Sequence, residues 1–115
     1  MSLGDKASEL YRSGKGYNCA QCILCTCTEL ETYTALSVSK GFGSGMKCGE
    51  VCGCITGAYM ALGYRDTAVG NYKRLLNAFK DKFGYIKCTD LKANHIPCLD
   101  LIKFTADTVE EIIGE

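Results

Sequence analysis

With 115 residues the chain is long enough for one compact domain with a core of its own, and its 13 basic and 13 acidic residues cancel. That balance, with Lys and Arg scattered, gives no footprint for nucleic acid or an anionic membrane, and no stretch reaches the roughly 20 apolar residues of a membrane span. Nine cysteines, an odd count, fit poorly with a fully paired secreted framework and suit metal or thiol chemistry in a reducing cytoplasm; about half of them are expected to be plain core residues.

Helix signals recur along the chain and strand signals do not. The polar start, MSLGDKASELYRSG, lacks the apolar centre of a signal peptide, so a cytoplasmic location is expected. Within it Leu3, Ala7, Leu10 and Tyr11 share a helical face and Gly14 with Gly16 stop the segment, which predicts a first helix over 3–13. Asn18 is a good N-cap with Gln21 three positions on, and Cys19, Ile23, Thr26 and Leu30 follow at helical spacing, so a second helix is expected over 19–32.

Residues 35–47, with Gly41, Gly43 and Gly45, have no amphipathic period and read as a long loop. A third helix is expected over 48–62, ending at Gly63, with Gly49, Gly53, Gly57 and Ala61 as a small-residue stripe that lets another backbone approach. Each helical glycine costs up to about 1 kcal/mol against alanine, so close packing has to offset the loss. Asp66 would cap a fourth helix carrying Val69, Tyr72, Leu76, Phe79 and Phe83 and ending at Gly84. After a short turn from Thr89 to Ala93, Pro97 opens a fifth helix with Leu99, Ile102, Ala106, Val109 and Ile113. The expected architecture is an all-α, single-domain bundle over residues 1–115, with about five helices and a Gly-rich crossover loop between the second and third.

On this map Cys19, Cys52, Cys88 and Cys98 all fall near helix N-termini, where free N–H groups and the helix dipole favour thiolate over thiol. Short links make helices one and two, and three and four, antiparallel. The loop between helices two and three can span roughly 40 Å, against about 21 Å for a fourteen-residue helix, so those two helices can run parallel and the four cysteines can meet at one end.

The segment CGCITG (Cys52 to Gly57), preceded by GYNC (Gly16 to Cys19) and followed by FGYIKC (Phe83 to Cys88) and PCLDLI (Pro97 to Ile102), resembles the redox-active family named for a CGAxxG motif and four shared cysteines. The likeness covers nearly the whole chain. It implies that Cys19, Cys52, Cys88 and Cys98 are the functional set and that Gly53 and Gly57 are the motif glycines. One position departs from the pattern, since Cys54 stands where the family has alanine.

Other candidates weigh less. The run Cys19, Cys22, Cys25, Cys27 lacks the wide last gap and proline of a ferredoxin loop and reads as helix, leaving Cys22 as a neighbour of Cys19. On the expected third helix Cys48 would share a face with Cys52, as a fifth ligand, a resolving thiol or a thiol on the loop margin, while Cys54 points elsewhere and packs. His95, the one histidine, is expected in a loop, and GFGSG lacks the Gly-Lys-Ser/Thr ending of a phosphate loop, so it is read as a cover whose amides approach sulfur.

The leading functional reading is a four-thiolate metal site at Cys19, Cys52, Cys88 and Cys98, an iron–sulfur cluster for electron transfer, with zinc in the same place making the role structural. The rival is a metal-free thiol–disulfide oxidoreductase using pairs such as Cys19 with Cys52 or Cys88 with Cys98. A third reading is a helical interaction module with structural cysteines. The implied partner is a redox protein; the resemblance makes transport proteins conceivable, and the glycine stripe could pack across a homodimer.

Overall fold

The computed structural model describes residues 1–114. Its helices are α1 (Leu3–Tyr11), α2 (Cys19–Cys27), α3 (Thr32–Ser39), α4 (Gly53–Tyr64), α5 (Gly70–Phe83), α6 (Cys88–Ala93) and α7 (Cys98–Ile113). Among the described residues there is no strand, only an isolated antiparallel bridge between Val51 and Lys87. The all-α expectation therefore holds, with seven helices in place of about five.

The core is built where α2 packs on α4 and on α7. Ile23, Leu24, Ile55, Leu62, Leu75, Phe79, Ile102 and Val109 are its large buried side chains. A Cβ on Gly57 would stand 2.8 Å from the Ala20 carbonyl oxygen and 3.2 Å from Ile23 Cβ, and one on Gly53 would stand 3.3 Å from the Ala20 amide. The early residues of α4 thus lie beside the early residues of α2, so the two helices run parallel. Gly53 and Gly57 of the expected stripe face α2 inside the bundle, whereas Gly49 falls before the helix, in the turn against Thr89.

α1 runs antiparallel to α7. The Gly4 amide donates to Asp107 Oδ1 at 2.7 Å and the Leu3 amide to Glu110 Oε1 at 3.2 Å, so carboxylates on α7 satisfy the free N–H groups that open α1.

Four expected boundaries are corrected. The helix expected over 19–32 ends at Cys27, because Thr28 is extended and its hydroxyl donates back to the Leu24 carbonyl, while Arg65 Nε takes the Cys27 carbonyl at 2.9 Å. Half of the supposed loop is then helix: both carboxylate oxygens of Glu31 accept amides of the next turn, from Tyr33 and Thr34, and start α3, which hides only Ala35 and Ser39. An i, i+4 pair is too narrow a stripe to stand out as amphipathic.

The third helix begins at Gly53, not 48. The Cys52 amide donates to the Ile86 carbonyl at 2.8 Å and the Cys88 amide to the Glu50 carbonyl at 2.7 Å, so residues 50–52 spend their backbone groups on the neighbouring segment. Cys48 and Cys52 consequently share no helical face. Asp66 caps nothing; it is left-handed (φ 55°), α5 starts four residues later, and Val69 is exposed.

Between α3 and α4 lie a single 3-10 turn, Lys40–Phe42, and a wide turn, Gly45–Gly49, closed by the Glu50 amide on the Gly45 carbonyl. Ser44, Gly45, Met46 and Lys47 are all left-handed, with φ of 54°, 63°, 60° and 63°. Three of the four carry side chains, each at a cost of about 1 kcal/mol or more.

Asn18 fulfils its expected role. Its Oδ1 accepts the Gln21 amide at 2.9 Å, Gln21 Oε1 accepts the Asn18 amide at 2.9 Å, and Asn18 Nδ2 also ties down the Lys40 carbonyl at 2.9 Å. Replacing Asn18 by Ala should cost roughly 1–2 kcal/mol in a urea melt, the upper end of the cap range, because it frees the cover as well as the helix start.

Candidate functional site

Each of the four expected cysteines stands at the start of a helix. Cys19, Cys88 and Cys98 are the first residues of α2, α6 and α7, and Cys52 is the N-cap of α4. The parallel packing of α2 on α4 brings Cys19 to Cys52, and the short bridge between 50–52 and 86–88 brings the start of α6 to the same end.

The sulfurs of Cys19, Cys52 and Cys54 all lie within 4.8 Å of one another. Cys88 and Cys98 stand outside that group. Cys98 is half-buried, is hydrogen-bonded to the Tyr11 hydroxyl and feels the charges of Cys19 and Cys88, so it belongs to the same end of the bundle. Cys48 is on the exposed side of the wide turn, where its thiol donates to the Gly45 carbonyl at 3.4 Å.

Cys54 is the residue that sequence reasoning assigned to packing. Because the helix begins at Gly53, Cys52 lies outside it as the cap, and the residue two positions on shares the first turn with it. The doubled cysteine on either side of the motif glycine was the signal, and the helix start misplaced by five residues concealed it.

Gly53 makes the approach of the two helices possible. A Cβ there would stand 2.5 Å from Cys19 Sγ and 2.9 Å from the Phe42 carbonyl oxygen. Gly53 and Gly57 both leave the space that α2 occupies. The cover closes over the same place: a Cβ on Gly43 would collide with the Asn18 side chain, and one on Gly45 would stand 2.9 Å from Cys88 Cβ.

The electrostatics single out one sulfur. Thiols of Cys52 and Cys54 donate to Cys19, and the amides of Ser44 and Ala20 point at it, which together outweigh burial and hold the Cys19 thiol far below its ordinary value. Cys52 is driven the opposite way, chiefly because it keeps its proton to donate to Cys19. Burial raises Cys54, with the Cys19 charge adding to it. Reduced and metal-free, the pocket therefore favours an anion on Cys19 over one on Cys52 or Cys54. The Gly-rich cover thus does bring an amide, that of Ser44, to sulfur.

The remaining cysteines differ. Burial pushes Cys22 and Cys27 up to about 12 each, and both are core residues. Cys25 is part-exposed and is also raised, by burial first and then by Glu31. His95 is exposed in the left-handed link between α6 and α7.

A three-sulfur group is a fitting donor set for a soft metal. Metal–sulfur bonds of about 2.3 Å in a tetrahedron place ligand sulfurs about 3.8 Å apart, inside the observed 4.8 Å envelope. Among the described residues no helix is long and apolar enough to cross a membrane. Residues 17–112 match the model of the family described as "Putative redox-active protein (C_GCAxxG_C_C)". No curated protein and no solved structure matches the chain.

Proposed function

Since the chain belongs to the family described as "Putative redox-active protein (C_GCAxxG_C_C)", we propose that it is an electron carrier whose centre is iron, alone or as an iron–sulfur cluster, held by cysteine sulfur. The observation that carries this reading is the convergence of Cys19, Cys52 and Cys54 within 4.8 Å, with Cys19 held as thiolate. Three sulfurs that sit this close in a water-poor pocket cannot all ionise on their own, and a bound cation removes that repulsion. Cys98 is the fourth ligand in this proposal, with Cys88 beside it. Zinc would satisfy the same donors but cannot change oxidation state, so the family's redox character favours iron.

The burial of the pocket also supports a carrier. Cys52 is 4% exposed and Cys54 fully buried, which suits electron transfer through a thin cover better than attack on a bulky disulfide. The test is purification under anaerobic conditions with metal analysis and visible spectroscopy. Iron near stoichiometry, with colour bleached by dithionite, is the expected result; protein that is colourless and free of iron would overturn it, and zinc in its place would make the site structural.

The low Cys19 thiol beside a protonated Cys52 is also the pairing that thiol–disulfide exchange requires. In that second reading the metal-free protein titrates as a two-electron Cys19–Cys52 couple. Thiols inert to a glutathione redox series would remove it.

A further inference from the structure

The lysines that look scattered along the sequence are gathered by the fold around the sulfur pocket. Three segments form its rim. Residues 12–18 follow Tyr11, whose hydroxyl meets Cys98, and lead into Cys19. Residues 40–51 carry the cover, tied by the Lys40 carbonyl to Asn18 and by the Ser44 amide to Cys19. Residues 84–97 hold the bridge to Val51 and α6.

Together the three segments contain six basic residues, Arg12, Lys15, Lys40, Lys47, Lys87 and Lys92, and two acidic ones, Glu50 and Asp90. All six basic side chains are exposed. Asp100, exposed on the first turn of α7 beside Cys98, is a third acidic residue at this end, which leaves the sulfur end with a net excess of three positive charges. The Glu50–Lys87 contact, 3.7 Å between side chains more than half exposed, neutralises little of this. Lys15 and Lys40 flank one shallow cleft with Tyr17 and Tyr33.

Two of the large apolar side chains left in solvent, Met46 at 48% and Tyr85 at 40%, sit on this same rim. Positive charge around exposed apolar contacts is the make-up of a transient protein interface, where charge steers the approach and short-range packing holds it. A nucleic-acid surface would need a longer basic track and gain nothing from Met46.

We propose that this rim is the docking surface for an acidic electron-transfer protein, one carrying its own iron–sulfur or flavin group behind carboxylates. The inference rests on the redox reading of the sulfur pocket. In the encounter one electron leaves the partner's reduced group and enters the centre behind the cover; the donor is oxidised by one electron, the centre reduced by one, and no bond or proton changes hands. The Gly-rich cover then has a second use as the thin wall through which the electron passes.

The probe is an acidic plant-type [2Fe–2S] ferredoxin, reduced anaerobically and mixed with the metal-loaded protein. For the wild type the second-order rate should fall about tenfold or more as ionic strength rises from about 0.05 to 0.3 M. The double variant K40E/K47E should lose a similar factor at low salt, while K6E/K73E, away from the rim, should stay within about twofold. Rates independent of salt, or equal losses in both variants, overturn the proposal. So does Lys40- and Lys47-dependent binding to phosphatidylglycerol vesicles or a DNA duplex without binding to the ferredoxin. Reduction of each variant by dithionite is measured in parallel: failure there sinks the redox reading, and ferredoxin binding by calorimetry still reads the docking surface on its own.

Discussion

Replacing Cys19 by Ser is expected to empty the pocket of metal, dropping iron per chain by at least about tenfold and abolishing dithionite-sensitive colour. The serine hydroxyl fits the space but does not ionise near neutral pH, so the Cys52 and Cys54 thiols and the Ser44 and Ala20 amides lose the anion they surround. A pH profile in the wild type gives the same residue a second signature. Because its folded value is depressed, Cys19 remains thiolate above that value, and alkylation at Cys19 itself, followed by peptide mass spectrometry of the reduced, metal-free protein treated with iodoacetamide, should stay nearly flat from about pH 5 to pH 8. An ordinary thiol would slow about tenfold per unit over the same range. Circular dichroism shows whether the variant is folded, and Cys25→Ser serves as the matched control because Cys25 lies outside the sulfur group. Full metal occupancy in the Cys19 variant would remove the proposed site.

Gly57→Ala is expected to lower the melting temperature by roughly 5–15 °C, the equivalent of about 1–3 kcal/mol of overpacking. Two effects oppose each other here. Alanine improves helix propensity by up to about 1 kcal/mol, but its methyl would stand 2.8 Å from the Ala20 carbonyl oxygen and 3.1 Å from Ala20 Cα. Both are backbone atoms, which move only if α2 moves, so the clash wins. Gly53→Ala separates stability from function: its methyl meets Cys19 Sγ at 2.5 Å, so metal content should fall even where the fold survives. Differential scanning calorimetry alongside iron analysis reads both, and an unchanged melting temperature for Gly57→Ala would show that the helices are not packed this closely.

Much of this arrangement was legible from the chain alone, for identifiable reasons. The Asn18–Gln21 capping box is a local device, written in adjacent residues, and it appears as expected. Glycines spaced by four on an otherwise good helix announced a close neighbour, because nothing else offsets their propensity cost. The start of α4 was not legible, since it is decided by residues 86–88, over thirty positions away, which take the backbone groups of 50–52. Cys54 was missed through that error, and so was the separation of Cys48 from Cys52. The break after Cys27 has the same character: Arg65 on α4's end takes the carbonyl that would otherwise have carried the helix onward. The basic rim was invisible for a related reason, as its charges are far apart in sequence and share an end only after the helices pack.

The four successive left-handed residues from Ser44 to Lys47 bear on how anything enters the pocket. Such a turn is held by what it touches rather than by its own preference, so it has the lowest cost of local opening near the sulfurs, while α2, α4 and α7 are pinned by the core. Loading and unloading would therefore be timed by this one spring-like latch, and a glycine at Met46 or Lys47 would relax it shut.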